Sequence, residues 1–222
     1  MSSIDNYMLN LVELYDNCLT DKIPLYTAPV FCSANVYIDK DSNFIKAERL
    51  EETKQLNLPT TISSENRSRA VAPYPIVDNI RNMNGKGEEM FLELLSSFID
   101  YSGNEKCRIF YEYVKKETIL NDIKDIKTHI KLDGVVPIVY IVDNKTGEPL
   151  LDDELYKQYN KFFEDKIIPK EAKKDMCLLC GKETYCMPVS KTRILPPKPM
   201  ARIYSGKSEK DIVQNTFLHS FV

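Results

Sequence analysis

The 222-residue chain has no tryptophan, only two histidines and only six cysteines. Six cysteines over this length are too few for a disulfide-stapled scaffold, which implies a reducing, cytoplasmic setting. His129 falls in a lysine-rich stretch without an evident partner, so no histidine-centred catalytic arrangement stands out. Long apolar runs are also missing. The longest, Val135 to Val142, is interrupted by Pro137, whereas a transmembrane helix needs roughly 20 apolar residues. Met1-Ser2-Ser3-Ile4-Asp5 carries neither a basic n-region nor a small-residue cleavage site, which argues against a secretory leader. What remains is ordinary globular composition, 43% hydrophobic and 28% charged, enough for one large domain or two small ones.

The net charge of −3 argues at face value against a nucleic-acid partner. The charge is unevenly spread, however. From Lys166 to Lys210 eleven basic residues face four acidic ones, a local +7 against −10 for the remainder of the chain. Such a basic face fits a phosphate-bearing partner, or simply a solvated surface. The composition shift divides the chain into a body, residues 1–165, and a basic, cysteine-containing segment, residues 166–222.

Hydrophobic spacing outlines the elements. Ile4, Met8, Leu11, Val12, Tyr15 and Leu19 predict an amphipathic helix over residues 3–19. Period-two alternation on both sides of the turn Asp39–Asn43 predicts a β-hairpin from Val30 to Leu50. Residues 51–73 show no period and read as a long polar loop. Ala70 to Val77, broken by Pro73 and Pro75, suits an extended edge segment. Helices are expected over Glu88–Tyr101, stopped by Gly103, over Glu105–Lys116 and over Ile119–Ile130. Val135–Val142 reads as a buried strand, and Asp152–Asp165 as a helix opened by acidic residues that complement its dipole. The expected fold is α+β: a small antiparallel sheet with packed helices, plus a zinc-knuckle-like turn near the C-terminus.

That turn is Cys177-Leu178-Leu179-Cys180-Gly181, with Cys186 nearby. A C-x-x-C-G run converges two thiolates around a zinc, and Cys186 offers a third ligand. A fourth at normal spacing is missing, so the alternative is a β-turn with incidental thiols. Gly85-Lys86-Gly87 lacks the spacing of a phosphate loop. Nothing else reads as an active site, and the chain is expected not to be an enzyme. Asn66-Arg67-Ser68-Arg69 is a different kind of candidate. Arginine reads guanine bidentately and binds phosphate, while asparagine and serine address base edges. A solvated loop is the alternative.

These residues carry a resemblance. Arg67-Ser68-Arg69-Ala70-Val71-Ala72-Pro73, followed after four residues by Asp78-Asn79, resembles the Arg-Thr-Ser-Gly-Val-Ala-Pro-x4-Asp-Asn run of the large subunit of the type I-C CRISPR Cascade complex. The Asp-rich hairpin turn, the strand before Gly147-Glu148-Pro149-Leu150, the Asp-led aromatic helix and the Cys177–Gly181 turn follow in the same order. The resemblance implies DNA recognition without catalysis. In such complexes guide RNA reads sequence by pairing, and the large subunit inspects the protospacer-adjacent motif in double-stranded DNA. It also implies docking on guide RNA and on the Cascade backbone subunits. The motif-reading residues would be Asn66, Arg67, Ser68, Arg69 and Asn79. Lys191, Arg193, Lys198 and Arg202, grouped around Pro196-Pro197, would contribute backbone attraction. Because relatives are longer, a second reading is a solitary large-subunit mimic that displaces the genuine subunit and inhibits interference.

Overall fold

The computed structural model describes residues 26–64, 72–85, 87–126, 131, 134–143, 146–176 and 183–186. Its centre is a four-stranded sheet in the order β2-β1-β3-β4, formed by β1 (Thr27–Asp39), β2 (Phe44–Pro59), β3 (Pro137–Asp143) and β4 (Thr146–Pro149). Helices α1 (Ile80–Met83), α2 (Glu88–Ser102), α3 (Glu105–Val114) and α4 (Ile119–Asp122) lie between β2 and β3 in the chain. Beyond β4 come α5 (Asp153–Phe162), a π-helical turn (Phe163–Ile167) and α6 (Ile168–Glu171). A two-stranded antiparallel ribbon follows, β5 (Lys173–Met176) and β6 (Glu183–Cys186). The α+β class is as expected. The expected helix over residues 3–19 lies outside the described residues.

The sheet is mixed rather than purely antiparallel. β1/β2 and β3/β4 are antiparallel, but β1 and β3 run parallel, with Ala34 opposite Pro137 and Ile38 opposite Ile141. A parallel pair cannot be closed by a tight turn, and the helical stretch α1–α4 supplies the crossover. Cys32, Ala34, Val36 and Ile38 alternate onto one face and are fully buried. Phe91, Leu95 and Phe98 of α2, Phe110 and Tyr113 of α3, and Tyr159 and Phe162 of α5 complete the core. Its rings meet edge-on: Phe98 with Phe162 at 5.4 Å and Phe91 with Phe110 at 6.5 Å, the geometry that the ring quadrupoles favour.

The hairpin is longer than its alternation suggests, because β2 runs on through residues 51–59, where a loop is expected. The reason is a register break. Cys32 faces Lys54 but Ala34 faces Arg49, so residues 50–53 of β2 oppose Ser33 alone. An insertion of this kind resets the two-residue period. β2 is also an edge strand exposed over Glu51–Gln55, so no apolar alternation is required there. Residues 72–79 form no strand, contrary to the expected edge segment. Pro73 and Pro75 have no N–H to donate to a ladder, and the stretch from Pro73 to Asp78 is buried as irregular chain.

Helix ends follow local chemistry. Gly103 closes α2 at φ 67, and its N–H donates to the Ile99 carbonyl, the left-handed stop that glycine favours. The expected helix to Lys116 ends at Val114, and Glu117 turns the chain at φ 55. Of the expected helix Ile119–Ile130, only α4 is helical among the described residues, which here end at Ile126. Thr118 and closely spaced isoleucines lower helix propensity, and a tight turn, Ile126 N–H to Ile123 carbonyl at 3.0 Å, buries Ile123 instead. The expected helix over Asp152–Asp165 is divided: α5 gives way to the π turn, and the helical run continues to Glu171 with Pro169 in the first turn of α6, where its missing N–H costs nothing. The composition break at residue 166 falls inside this run, whose Ile167 and Ile168 are buried. β4 lies where the sequence suggests only a turn and a Gly-Glu-Pro-Leu run. Its four residues are all exposed, so they carry no apolar pattern.

Candidate nucleic-acid interface

Asn66, Arg67, Ser68 and Arg69 lie outside the described residues. The chain on either side of them is described, and it forms two stems held by polar bonds. The upstream stem leaves β2 at Thr60. The Thr60 N–H and hydroxyl both donate to the Tyr26 carbonyl, at 2.9 and 3.0 Å, and the Thr60 carbonyl accepts the Tyr159 hydroxyl at 2.7 Å. Thr61 and Ser64 then bond each other. The Thr61 N–H donates to Ser64 Oγ at 2.7 Å, and the Ser64 N–H donates to Thr61 Oγ1 at 3.0 Å. On the outer side, the Ser63 N–H and hydroxyl donate to Glu171 Oε2 at 2.7 and 2.8 Å.

The downstream stem is organised by Asp78, a fully buried carboxylate. It accepts the Tyr74 N–H at 2.9 Å, the Asn79 N–H at 2.6 Å and the Asn82 amide at 2.8 Å. A buried charge is tolerable when donors saturate it. Here the donors come from both sides of the Pro75 turn, so Asp78 fixes how the chain leaves residue 74. Asn79 is half-buried and caps α1, its Oδ1 accepting the Asn82 N–H at 3.1 Å. The Ile80 N–H donates to the Val135 carbonyl at 3.0 Å, which ties this stem to the chain leading into β3. Proline and the Asp-Asn pair, spaced as in the resemblance, thus share one structural task. Sequence alone singles out Asn79 as a site residue and Asp78 only as part of the motif, and it marks neither Ser63 nor Glu171. The fixed distance from Pro73 to Asp78 is the signal that could have found the role of Asp78. No local pattern announces Ser63 and Glu171, because they meet across 108 positions of the chain.

Other candidates are less informative. Lys191, Arg193, Lys198, Arg202, Cys177 and Cys180 lie outside the described residues. Cys186 ends β6 opposite Lys173. It is therefore about 10 Å along the strand from Glu183, the end of β6 nearer in the chain to Cys177 and Cys180. Among the described residues no group of three or more His, Cys, Asp or Glu side chains is placed to hold a metal ion. Cys32 and Cys107 are buried. Burial pushes the Cys32 thiol up to about 12 and the Cys107 thiol further in the same direction, so both stay protonated at neutral pH. His129 is also outside the described residues.

The acidic row at the start of α5 has the helix-opening role expected of it. Asp152 Oδ1 accepts the Leu155 N–H at 2.8 Å, and Oδ2 accepts the Lys106 ammonium at 2.8 Å. Burial acts to raise the Asp152 carboxyl, but the bonds from Lys106 and the Leu155 N–H outweigh it and hold it below its ordinary value. Lys106 also reaches Glu148 at 2.9 Å and so joins β4, α3 and α5.

As a class, the described part of the chain is an α+β body in which polar bonds hold the residues on both sides of positions 65–71. The family is more specific. Residues 11–201 match the family described as CRISPR-associated protein (Cas_Csd1), and the chain belongs to that family. No curated protein matches the chain. Among the described residues no helix is long and apolar enough to cross a membrane.

Proposed function

We propose that this chain is a non-catalytic, DNA-inspecting component of a type I-C CRISPR surveillance complex. In this reading it examines the protospacer-adjacent motif of duplex DNA through Asn66, Arg67, Ser68 and Arg69, and docks on guide RNA and the Cascade backbone subunits. The observation that carries the reading is the pair of stems. Base-edge recognition requires side chains held in register with a groove, because a bidentate arginine–guanine contact has little angular tolerance. The Thr60–Ser64 turn and the Asp78 cluster restrict the two ends of the segment that bears those side chains. Asn79 acts from the stem, through its cap on α1. Lys191, Arg193, Lys198 and Arg202 add sequence-independent attraction to phosphate. Family membership supports a place in CRISPR defence.

The test uses the chain assembled with guide RNA and backbone subunits. Asn66→Ala and Arg67→Ala should each weaken binding to motif-bearing duplex at least about tenfold, since one base-specific contact is worth roughly 1–3 kcal/mol. Binding to duplex without the motif should change little with Asn66→Ala. Unchanged motif-dependent affinity in both correctly folded variants would remove this segment from the recognition site.

A further inference from the structure

Five basic residues of the described body are held in ion pairs. Lys40 pairs with Asp143, Lys46 with Glu48, Lys106 with Glu148 and Asp152, Arg108 with Glu105 and Lys115 with Glu112. Arg49, Lys54, Lys124 and Lys131 are exposed without a carboxylate partner among the described residues, but they stand apart from one another, whereas from α5 to β5 six such lysines fall within residues 157–174. Lys157, Lys161, Lys166, Lys170, Lys173 and Lys174 are all exposed, and none has a carboxylate partner among the described residues. Acidic groups are at hand in the same stretch, but they bond neutral donors. Glu164 accepts the Tyr26 hydroxyl at 3.3 Å, Asp165 the Tyr101 hydroxyl at 2.5 Å, and Glu171 the Ser63 N–H and hydroxyl.

The spacing groups these lysines. Lys157 with Lys161, and Lys166 with Lys170, stand four residues apart, neighbours on one side of a helical run. Like charges at that spacing repel, so the arrangement weakens the helix unless an anion lies across it. From Lys157 to Lys170 the run extends about 20 Å at 1.5 Å per residue, the axial length of about six base pairs. Two of the ammonium groups sit over aromatic rings: Lys166 is 6.0 Å from the centroid of Tyr101, and Lys174 is 5.3 Å from that of Tyr185.

We propose that these lysines form a track for a phosphodiester backbone, engaging nucleic acid without reading its sequence. The inference takes from the function proposed above only that nucleic acid is the partner. Its residues are separate from Asn66–Arg69. Duplex DNA and guide RNA offer the same phosphodiester chemistry, and the test separates them.

The full-length chain and a Lys161→Gln/Lys166→Gln/Lys170→Gln variant are titrated across about 50 to 200 mM salt. One arm uses a short duplex lacking the motif; the other uses single-stranded RNA. Each phosphate contact contributes a slope in log K against log salt of about −0.9 for duplex and about −0.7 for a single strand. The variant should therefore lose about 2.7 of the slope in the duplex arm, or about 2.1 in the RNA arm, and the affected arm identifies the nucleic acid. Lys46→Gln/Lys115→Gln, which removes paired lysines, should keep the parental slope. An unchanged slope in both arms, or an equal loss in the paired-lysine control, overturns the track. Either of those results would leave the effect of Asn66→Ala on motif-dependent binding standing, so the two proposals fail separately.

Discussion

The sheet–helix core and the two stems around residues 65–71 are both buried, but by different means. The core is apolar: Val36, Ile38, Phe91, Phe98 and Phe110 are fully enclosed and need nothing from their neighbours except volume. The stems are polar. Of the six polar residues buried among the described ones, four are Thr60, Thr61, Ser64 and Asp78. Burying such groups costs free energy unless each is bonded, so their concentration at the stems is not the cheapest route to stability. It gives direction instead. Apolar packing tolerates small displacements, whereas a carboxylate shared by three donors does not. The core holds the molecule together, and the stems determine how one segment leaves it.

That contrast can be broken from either side. The largest effect is expected in the core. Phe98→Ala removes a ring that meets Phe162 at 5.4 Å and Tyr159 at 5.7 Å, and should cost about 3–5 kcal/mol in urea unfolding. Asp78→Ala should cost less, about 2–3 kcal/mol, because it strands buried donors without opening a large cavity. It should also raise hydrogen exchange at Tyr74 and Asn79 far more than at Phe98. Equal protection loss at all three would mean that the stem has no separate role.

A smaller effect is expected from alkali, and it falls on the upstream stem. Burial, with the nearby Glu164 charge second, pushes the Tyr26 hydroxyl up to about 12; burial and Asp153 do the same for Tyr156, whose hydroxyl donates to the Asn57 carbonyl at 2.7 Å. A folded value raised above the ordinary 10.0 means that the unfolded chain releases its proton first. The stabilisation is therefore complete below pH 10 and is lost as pH rises towards 12. Tyr26→Phe and Tyr156→Phe should each flatten the fall of the urea midpoint over that interval. A fall of undiminished steepness in both variants would place the alkaline sensitivity elsewhere.

The same division decides what could be read from the amino-acid sequence. Periodic apolar positions revealed the start of the hairpin, α2, α3, β3 and α5, because burial on one face leaves a visible repeat. The end of β2 did not show, since an edge strand exposed over Glu51–Gln55 needs no repeat. Nor did the parallel pairing of β1 with β3, which is a long-range choice written in neither strand alone. Asn66–Arg69 could be singled out by residue type. The stems beside it could not, because Tyr26, Thr60 and Tyr159 are brought together only by the fold.

The central claim is that the Asp78 stem acts on motif recognition through the segment it holds, and a double-mutant cycle tests it most directly. Motif-dependent duplex affinity of the assembled complex is measured for Asp78→Asn, for Arg67→Ala and for both together. Asp78→Asn keeps the shape of the side chain but converts part of an acceptor into a donor, so it should weaken motif-dependent binding while leaving complex assembly intact. If Asp78 works by positioning Arg67, the double variant should be little worse than Arg67→Ala alone, with a coupling of about 1 kcal/mol or more. Losses that simply add, or an Asp78→Asn complex that discriminates the motif as well as the parent, would contradict the account.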